Sequence, residues 1–381
     1  MRDLSIYIHI PFCVRKCLYC DFLSFPVSQE KMENYVNLLE REIKQSAEKY
    51  KEYRVISIFW GGGTPSILPA EDVSRMMEAV KENYQIAKDA EITIEMNPGT
   101  ADDRKLHQYI TSGMNRISIG LQSADDRELV RIGRIHDYRT FLETYELARN
   151  AGFCNINIDI MASLPEQSAA SYEQTLRRVT ALKPEHISAY SLMLEEGTPL
   201  YERQSEYRFP SEEEDRGMYA LTKEYLASCG YHKYEISNYA KDGFECRHNK
   251  VYWQRGDYAG FGLGASSMVQ NVRWKNPADM AAYETYVARL ADKQEEFIPD
   301  RQILTVPEQM EEYMFLGLRM MCGIDVQEFA RVFGNRIEEI YGEVIERLCR
   351  QGLLLRENDR IRLTDRGIDV SNYVMAQFLF D

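Results

Sequence analysis

The chain opens on an alternation. In residues 4–10, LSIYIHI, apolar β-branched positions alternate with polar or aromatic ones, which predicts a strand. The spacing then changes. Met32, Val36, Leu39 and Ile43 fall on one helical stripe, so a helix is expected from Gln29 to Tyr50. Further strands are predicted over Arg54–Trp60, Glu91–Glu95, Arg116–Gly120, Asn155–Ile160 and His186–Leu192. Helices are predicted between them, over Pro69–Tyr84, Asp102–Ser112, Asp137–Asn150 and Ser168–Leu182. Repeated strand-then-helix units imply βαβ crossovers and a parallel sheet. The repeat is too short for a closed eight-stranded barrel, which leaves an open or partial barrel or a doubly wound sheet. In each, ligands sit beyond the C-terminal ends of the strands.

After Pro199 the pattern breaks. Residues 200–275 are rich in Tyr, Gly and charge, with one clear helix over Glu212–Ser228. A helix from Pro277 to Lys293 and a linker-like stretch, Gln294–Val306, follow. The rest reads as helices over Glu308–Met321, Val326–Phe333 and Ile337–Gln351, a hairpin GLLLRENDRIRLT, and a last helix. Three helices with a hairpin resemble a winged-helix module. The expected division is 1–200, 201–300 and 301–381.

Charge narrows the function. Across 381 residues, Lys+Arg 46 against Asp+Glu 60 leaves a net charge of −14. A protein that grips a phosphate backbone needs a basic footprint. Acidic residues in the winged unit, Glu338, Glu339, Glu343, Glu346, Glu357 and Asp359, offset its arginines, so nucleic-acid binding is not expected. No apolar run reaches the roughly 18 residues of a membrane span. MRDLSIYIHIPFC has no long apolar stretch and no small-residue cleavage site, so the protein is expected in the cytoplasm, with membrane contact at most peripheral.

Reduced thiols then need a role. Of 8 cysteines, Cys154, Cys229, Cys246, Cys322 and Cys349 are scattered, while Cys13, Cys17 and Cys20 crowd the loop after the first strand. A structural zinc site would want a fourth ligand, from His9, Asp21 or the distant Cys246 or His248. An iron–sulfur cluster with three thiolates would leave one iron open to a ligand. After the second strand, Gly61-Gly62-Gly63-Thr64-Pro65 is a tight turn or a cradle for a ligand, and it lacks the Lys-Ser/Thr of a phosphate loop. Glu95 ends the third strand and Gln122 the fourth, and Arg134 and His136 follow on the next loop. Asp159 lies within an apolar strand, where its charge needs a partner.

Cys13-Val-Arg-Lys-Cys17-Leu-Tyr-Cys20 resembles the signature of the radical S-adenosylmethionine superfamily. The resemblance implies a partial (β/α)6 barrel with a [4Fe–4S] cluster at its mouth. The open iron would chelate the amino and carboxylate groups of S-adenosylmethionine, and one electron from a donor would cleave the sulfonium to a 5′-deoxyadenosyl radical. The chain is further similar to the oxygen-independent coproporphyrinogen III oxidase branch. The likeness covers Tyr-Ile-His-Ile-Pro, the GGGTP segment, YSLMLEEGTP at 190–199 and the C-terminal helical unit. In that branch the matching Tyr7, Gly62, Gly63, Thr64, Glu95, Gln122, Arg134 and Asp159 line the cofactor pocket.

Within the branch, the decarboxylating enzymes carry a longer N-terminus and a further Cys two residues past the triad. Here the triad begins at residue 13 and Phe22 takes that place. The chain therefore looks like the shorter relatives, the haem chaperone HemW group. His248-Asn249-Lys250-Val251-Tyr252-Trp253 resembles that group's HNxxYW motif, which implies haem held by His248, Tyr252 and Trp253. His is a usual haem ligand and the aromatics suit a flat porphyrin, although Cys246 competes as an axial ligand. The resemblance implies a haem carrier serving apo-haemoproteins. Radical decarboxylation of coproporphyrinogen is the alternative, and a zinc-dependent or DNA-binding regulator a third reading. One departure stands out. Relatives commonly show Gly-Leu-Pro-Gly-Gln after the fifth strand, where this chain has Ser163-Leu164-Pro165-Glu166-Gln167.

Overall fold

The computed structural model describes residues 1–291 and 301–380. Six strand–helix units come first: β1 Arg2–Ile10, α1 Gln29–Ser46, β2 Tyr53–Gly62, α2 Ala70–Asn83, β3 Gln85–Met96, α3 Asp103–Thr111, β4 Arg116–Gln122, α4 Asp126–Arg131, α5 Tyr138–Ala151, β5 Ile156–Ala162, α6 Ala169–Ala181 and β6 His186–Ser191. The six strands pair in parallel, in chain order. The middle of the chain adds α7 Pro199–Glu202, α8 Glu212–Ser228, β7 His232–Lys233, β8 Asn238–Ala240, α9 Arg247–Trp253, β9 Tyr258–Phe261, β10 Ser266–Val269, β11 Val272–Lys275 and α10 Met280–Ala291. Strand β12, Gln302–Ile303, joins the same sheet, and among the described residues its order is β12-β11-β10-β9-β1-β2-β3-β4-β5-β6-β8-β7. Of the predicted linker, residues 294–300 lie outside the described residues.

The alternation in β1 sorts two environments. Leu4, Ile6, Ile8 and Ile10 are fully buried in the apolar core formed with the helices. The intervening Ser5, Tyr7 and His9 share the other face, as period two requires. The same face of the other strands is polar too. Ser5 and Ser57 share a hydrogen bond of 2.6 Å, Ser118 donates to Asp159 at 3.1 Å, and Asn157 donates to Ser118 at 2.7 Å. One cavity of about 170 Å³ is lined by Tyr7, Phe59, Glu95, Ser118, Asp159 and Ser188, one residue from each of the six strands. Six flat strands about 4.8 Å apart would span about 24 Å, so only a curled sheet brings them around one space. This is the partial (β/α)6 barrel, with a polar lumen.

Helix α9 packs against β2 at that lumen, and Glu91 on β3 anchors its start, accepting the backbone N–H groups of Arg247 and His248, each at 3.2 Å. The carboxylate meets the positive end of the helix. The C-terminal unit comprises α11 Val306–Gly317, β13 Ile324–Asp325, α12 Val326–Phe333, α13 Ile337–Arg350, β14 Leu354–Glu357, β15 Arg360–Leu363, α14 Asp365–Asp369 and α15 Ser371–Ala376. Its own core includes Met314, Leu318, Phe329, Ile337, Leu348, Ile361 and Phe378. It joins the barrel side where Met321 N–H donates to Tyr234 O at 2.9 Å.

Candidate cofactor site and motif helix

The cysteine loop leaves the C-terminal end of β1 and is pinned on both sides. Phe25 N–H donates to Pro11 O at 2.9 Å, and Leu18 N–H donates to Ile132 O at 3.0 Å. Cys13, Cys17 and Cys20 are all free thiols, partly exposed. Of the candidate fourth zinc ligands, His9, Cys246 and His248 are all engaged elsewhere. His9 Nε2 donates to Leu23 O at 2.9 Å, which leaves its Nδ1 to accept from the Tyr7 hydroxyl at 3.0 Å. Cys246 is fully buried, and its thiol donates to Glu91 at 3.5 Å; burial pushes that thiol up to about 12.

The glycine segment ends β2 against this loop. Gly62 has φ +110°, and a Cβ there would lie 2.4 Å from His9 Cε1. A Cβ on Gly63 would lie 2.6 Å from the Phe12 carbonyl oxygen. Only glycine allows this approach. The loop is then tied down by Gly63 N–H to Ile10 O and Thr64 N–H to Phe12 O, both 2.8 Å. Thr64 is the junction. Its hydroxyl lies 3.4 Å from Cys13 Sγ and accepts from Asn97 Nδ2 at 2.7 Å, while Arg134 Nη1 donates to Asn97 Oδ1 at 2.7 Å. Arg134 also stands 6.0 Å over the Tyr19 ring, inside the cysteine loop. Cys17, Thr64, Asn97, Arg134 and His136 thus border one small pocket.

Below it, Glu95 accepts from Gly62 N–H at 3.2 Å. Burial first, and then the nearby Asp159 charge, push its carboxyl up to about 8 against the opposing pull of Gly62 N–H and Arg116. Asp159 is also raised, chiefly by burial, although Asn157, Ser118 and Ser188 hydrogen-bond it. Gln122 closes β4 at φ +71°, in the left-handed region that costs a non-glycine residue about 1 kcal/mol or more. The structure therefore gathers Tyr7, Gly62, Gly63, Thr64, Glu95, Gln122, Arg134 and Asp159 at the lumen and the strand ends around the cysteine loop. It adds Asn97, Arg116, Ser118 and Tyr190. Asn97 follows Glu95 by two, and Ser118 follows Arg116 by two, so strand periodicity carries the signal for both.

The HNKVYW residues divide between two places. His248 is 1% exposed, stacks on Phe59 at 5.1 Å, and has both ring nitrogens occupied: Nδ1 lies 2.9 Å from Ser57 Oγ and Nε2 2.9 Å from the Tyr252 hydroxyl. Burial, and then Arg116, bring it down to about 3, so the ring is neutral. His248, Asn249 and Tyr252 line the lumen cavity. Trp253 instead borders a groove of about 620 Å³ shared with the C-terminal unit.

The SLPEQ departure keeps the glycine backbone without glycine. Ser163 has φ +60° and Glu166 φ +59°. Their side chains tie the loop down: the Ser163 hydroxyl donates to Asp215, and Glu166 accepts from Arg208 N–H at 2.7 Å.

Known proteins agree with this geometry. The model of the radical SAM superfamily matches residues 7–179, and that of the HemN C-terminal domain matches residues 304–370. The chain is 35% identical over 379 residues to the heme chaperone HemW of Lactococcus lactis, covering 99% of this chain and 97% of that one. It is 34% identical to the heme chaperone HemW of Bacillus subtilis, covering 98% and 99%. The solved coproporphyrinogen III oxidase HemN of Escherichia coli, described as a radical SAM enzyme, superposes with a TM-score of 0.85 at 25% identity, over 99% of this chain and 90% of that one. The chain belongs to the radical SAM superfamily and, in its coproporphyrinogen-oxidase-like branch, to the HemW family.

Proposed function

We propose that this protein binds haem and passes it to apo-haemoproteins, with a [4Fe–4S] cluster on Cys13, Cys17 and Cys20 and S-adenosylmethionine beside it. Three partly exposed thiols on one pinned loop, beside the small pocket bordered by Cys17, Thr64, Asn97 and Arg134, fit that pair of groups. When bound, they supply one-electron chemistry at the barrel mouth. Gly62 and Gly63 let the end of β2 close against His9 and Phe12, which holds it beside the cofactor. Glu95 and Asp159 offer carboxylates to its amino group and ribose, and Thr64, Gln122 and Arg134 orient it. Tyr7 closes the pocket beneath.

The observation that carries the haem reading is the motif helix α9. It is one wall of the lumen through His248 and Tyr252, and one wall of the large groove through Trp253. It thereby joins the cofactor pocket to a surface site of cofactor size. Relatives named as heme chaperones match along the whole chain.

The likeness to HemN favours a second reading, oxidative decarboxylation of coproporphyrinogen propionates. The relatives weigh against it: the heme chaperones are 34–35% identical over nearly the whole chain, against 25% for HemN.

The test is anaerobic reconstitution with iron, sulfide and zinc quantified, then haem titration of the same sample and transfer to an apo-haemoprotein whose activity returns with haem. Stoichiometric uptake and transfer are expected. Carbon dioxide and protoporphyrinogen from added coproporphyrinogen would instead establish the decarboxylase. One zinc without sulfide would reject both.

A further inference from the structure

We infer that the tetrapyrrole is held in the groove between Trp253 and the C-terminal unit, outside the barrel, with the Cys322 thiol at its iron. This rests on the haem reading above and adds the place and the ligand.

The groove measures about 620 Å³, within the range of cofactor pockets. Its lining is mixed: Trp253, Tyr313, Met320 and Val332 give one apolar side, and polar residues such as Asn271 and Arg360 the other, with Cys322 among them. Val332 on α12 is 46% exposed, a large apolar side chain facing solvent beside the groove. The Trp253 indole is held in place by the Arg319 guanidinium, 4.3 Å from the ring centroid, and its Nε1–H is buried with no acceptor among the described residues. Such walls suit a flat, apolar ring better than water.

The iron needs an available donor, and the imidazole of the motif is not one. His248 would have to leave both Ser57 and Tyr252 and cross from the lumen. The buried Cys246 is committed to Glu91. Cys322 is exposed, and among the described residues its one hydrogen bond is a long one of 3.8 Å to Gly323 O. Thiolate is an established haem ligand class.

The propionates need a cation. Arg360 pairs with Asp325 at 3.3 Å, yet its side chain stays 48% exposed. Asp325 is already neutralised in part, because it caps α12 through the N–H groups of Gln327 and Glu328, both 2.9 Å, while Glu328 pairs with Arg331. Arg360 is therefore the charge of this wall that remains open to a carboxylate. A second groove, of about 680 Å³ between α1 and α10, has Phe12, Phe25 and Leu38 among its lining, but among the described residues neither a cysteine nor any residue of the motif helix lines it.

The experiment is a haem titration of the reconstituted full-length protein, wild type against Cys322→Ala and Val332→Glu, read by Soret position and by affinity, with thermal melts as a folding check. Both positions are exposed, so the fold is expected to survive. A charge set against the ring in Val332→Glu should weaken binding by about tenfold or more. Cys322→Ala should lose the thiolate-type Soret and electron paramagnetic resonance signature. Wild-type affinity in Val332→Glu would overturn the groove. A wild-type spectrum in Cys322→Ala would overturn the ligand. A wild type that takes up no haem would overturn the carrier reading itself, before either variant is compared.

Discussion

The Thr64 hydroxyl stands 3.4 Å from Cys13 Sγ and takes a hydrogen bond of 2.7 Å from Asn97. One side chain thus links the cysteine loop, the end of β2 and the end of β3, while Arg134 holds Asn97 from the loop after β4. Thr64→Val keeps the shape and removes the polar contacts. It leaves the half-buried Asn97 amide short of an acceptor, at about 1 kcal/mol. The expected outcome is a modest drop in melting temperature and a faster loss of iron and sulfide on exposure to air. Sulfide retention equal to wild type would show that the loop does not depend on this link.

Glu95 carries a proton near neutrality, because burial and the Asp159 charge push it up to about 8. In the ligand-free protein the sign is fixed. The folded value exceeds the unfolded one of about 4.5, so its stabilisation is full below that value and is lost as pH rises towards 8. A cationic ligand reverses the preference, since it favours the ionised carboxylate. Affinity for S-adenosylmethionine should therefore rise as pH goes from 6 to 8, approaching about tenfold per unit at the acid end. Calorimetry in buffers of different ionisation enthalpy should detect the released proton, and Glu95→Gln should bind more weakly and flatten the profile. An unchanged slope in Glu95→Gln would assign the titration to another group.

The parallel units were legible because their strands are long and their helices amphipathic. LSIYIHI is enough to place Tyr7 and His9 on one face and Leu4, Ile6, Ile8 and Ile10 on the other. The edges of the sheet were not legible. Strands β7 to β12 have two to four residues, too few for period two to appear, and they sit in a stretch where tyrosine and glycine mask any pattern. The seven-residue α9 escaped for the same reason, although its motif was plain. Its burial could not be read either. That His248 points into the lumen follows from Ser57 and Glu91, each over a hundred and fifty residues away in sequence. The two residues at the glycine positions of SLPEQ look like a break in the pocket loop, yet Ser163 and Glu166 adopt the left-handed backbone and repay it through Asp215 and Arg208.

His248 is a fixed element of the lumen wall, so its removal should be felt in stability first. His248→Ala deletes a buried ring stacked on Phe59 and strips partners from Ser57 and Tyr252. The cavity and the Tyr252 hydroxyl left without its partner together should cost about 2–4 kcal/mol, while Ser57 keeps its bond to Ser5. Tyr252→Phe removes only the hydroxyl and should cost about 1 kcal/mol. Denaturant unfolding of the three proteins checks the order. A His248→Ala protein as stable as wild type would mean that the ring is free to leave its place.

The C-terminal unit is tied to the middle segment through the buried carboxylate of Glu312, alongside the pair of Arg319 with the buried Glu235. Glu312 on α11 accepts from Arg255 Nε at 3.1 Å and from Arg273 Nη2 at 2.5 Å, and the Arg255 side chain is only 7% exposed. Arg255 also donates to Asn271 at 3.0 Å, so the pair is braced on the barrel side. Exposed ion pairs contribute little, but removing one partner of a buried pair strands the other charge, at about 3–5 kcal/mol. Glu312→Ala should therefore loosen the unit selectively. Hydrogen exchange should speed up in α11 and around Trp253, with the β1 to β6 amides unchanged, because those strands keep their own core. If the groove between the two parts holds the tetrapyrrole, haem affinity should fall in the same variant while binding of S-adenosylmethionine stays at the wild-type level. Equal losses of both ligands would mean that the whole barrel depends on this clamp.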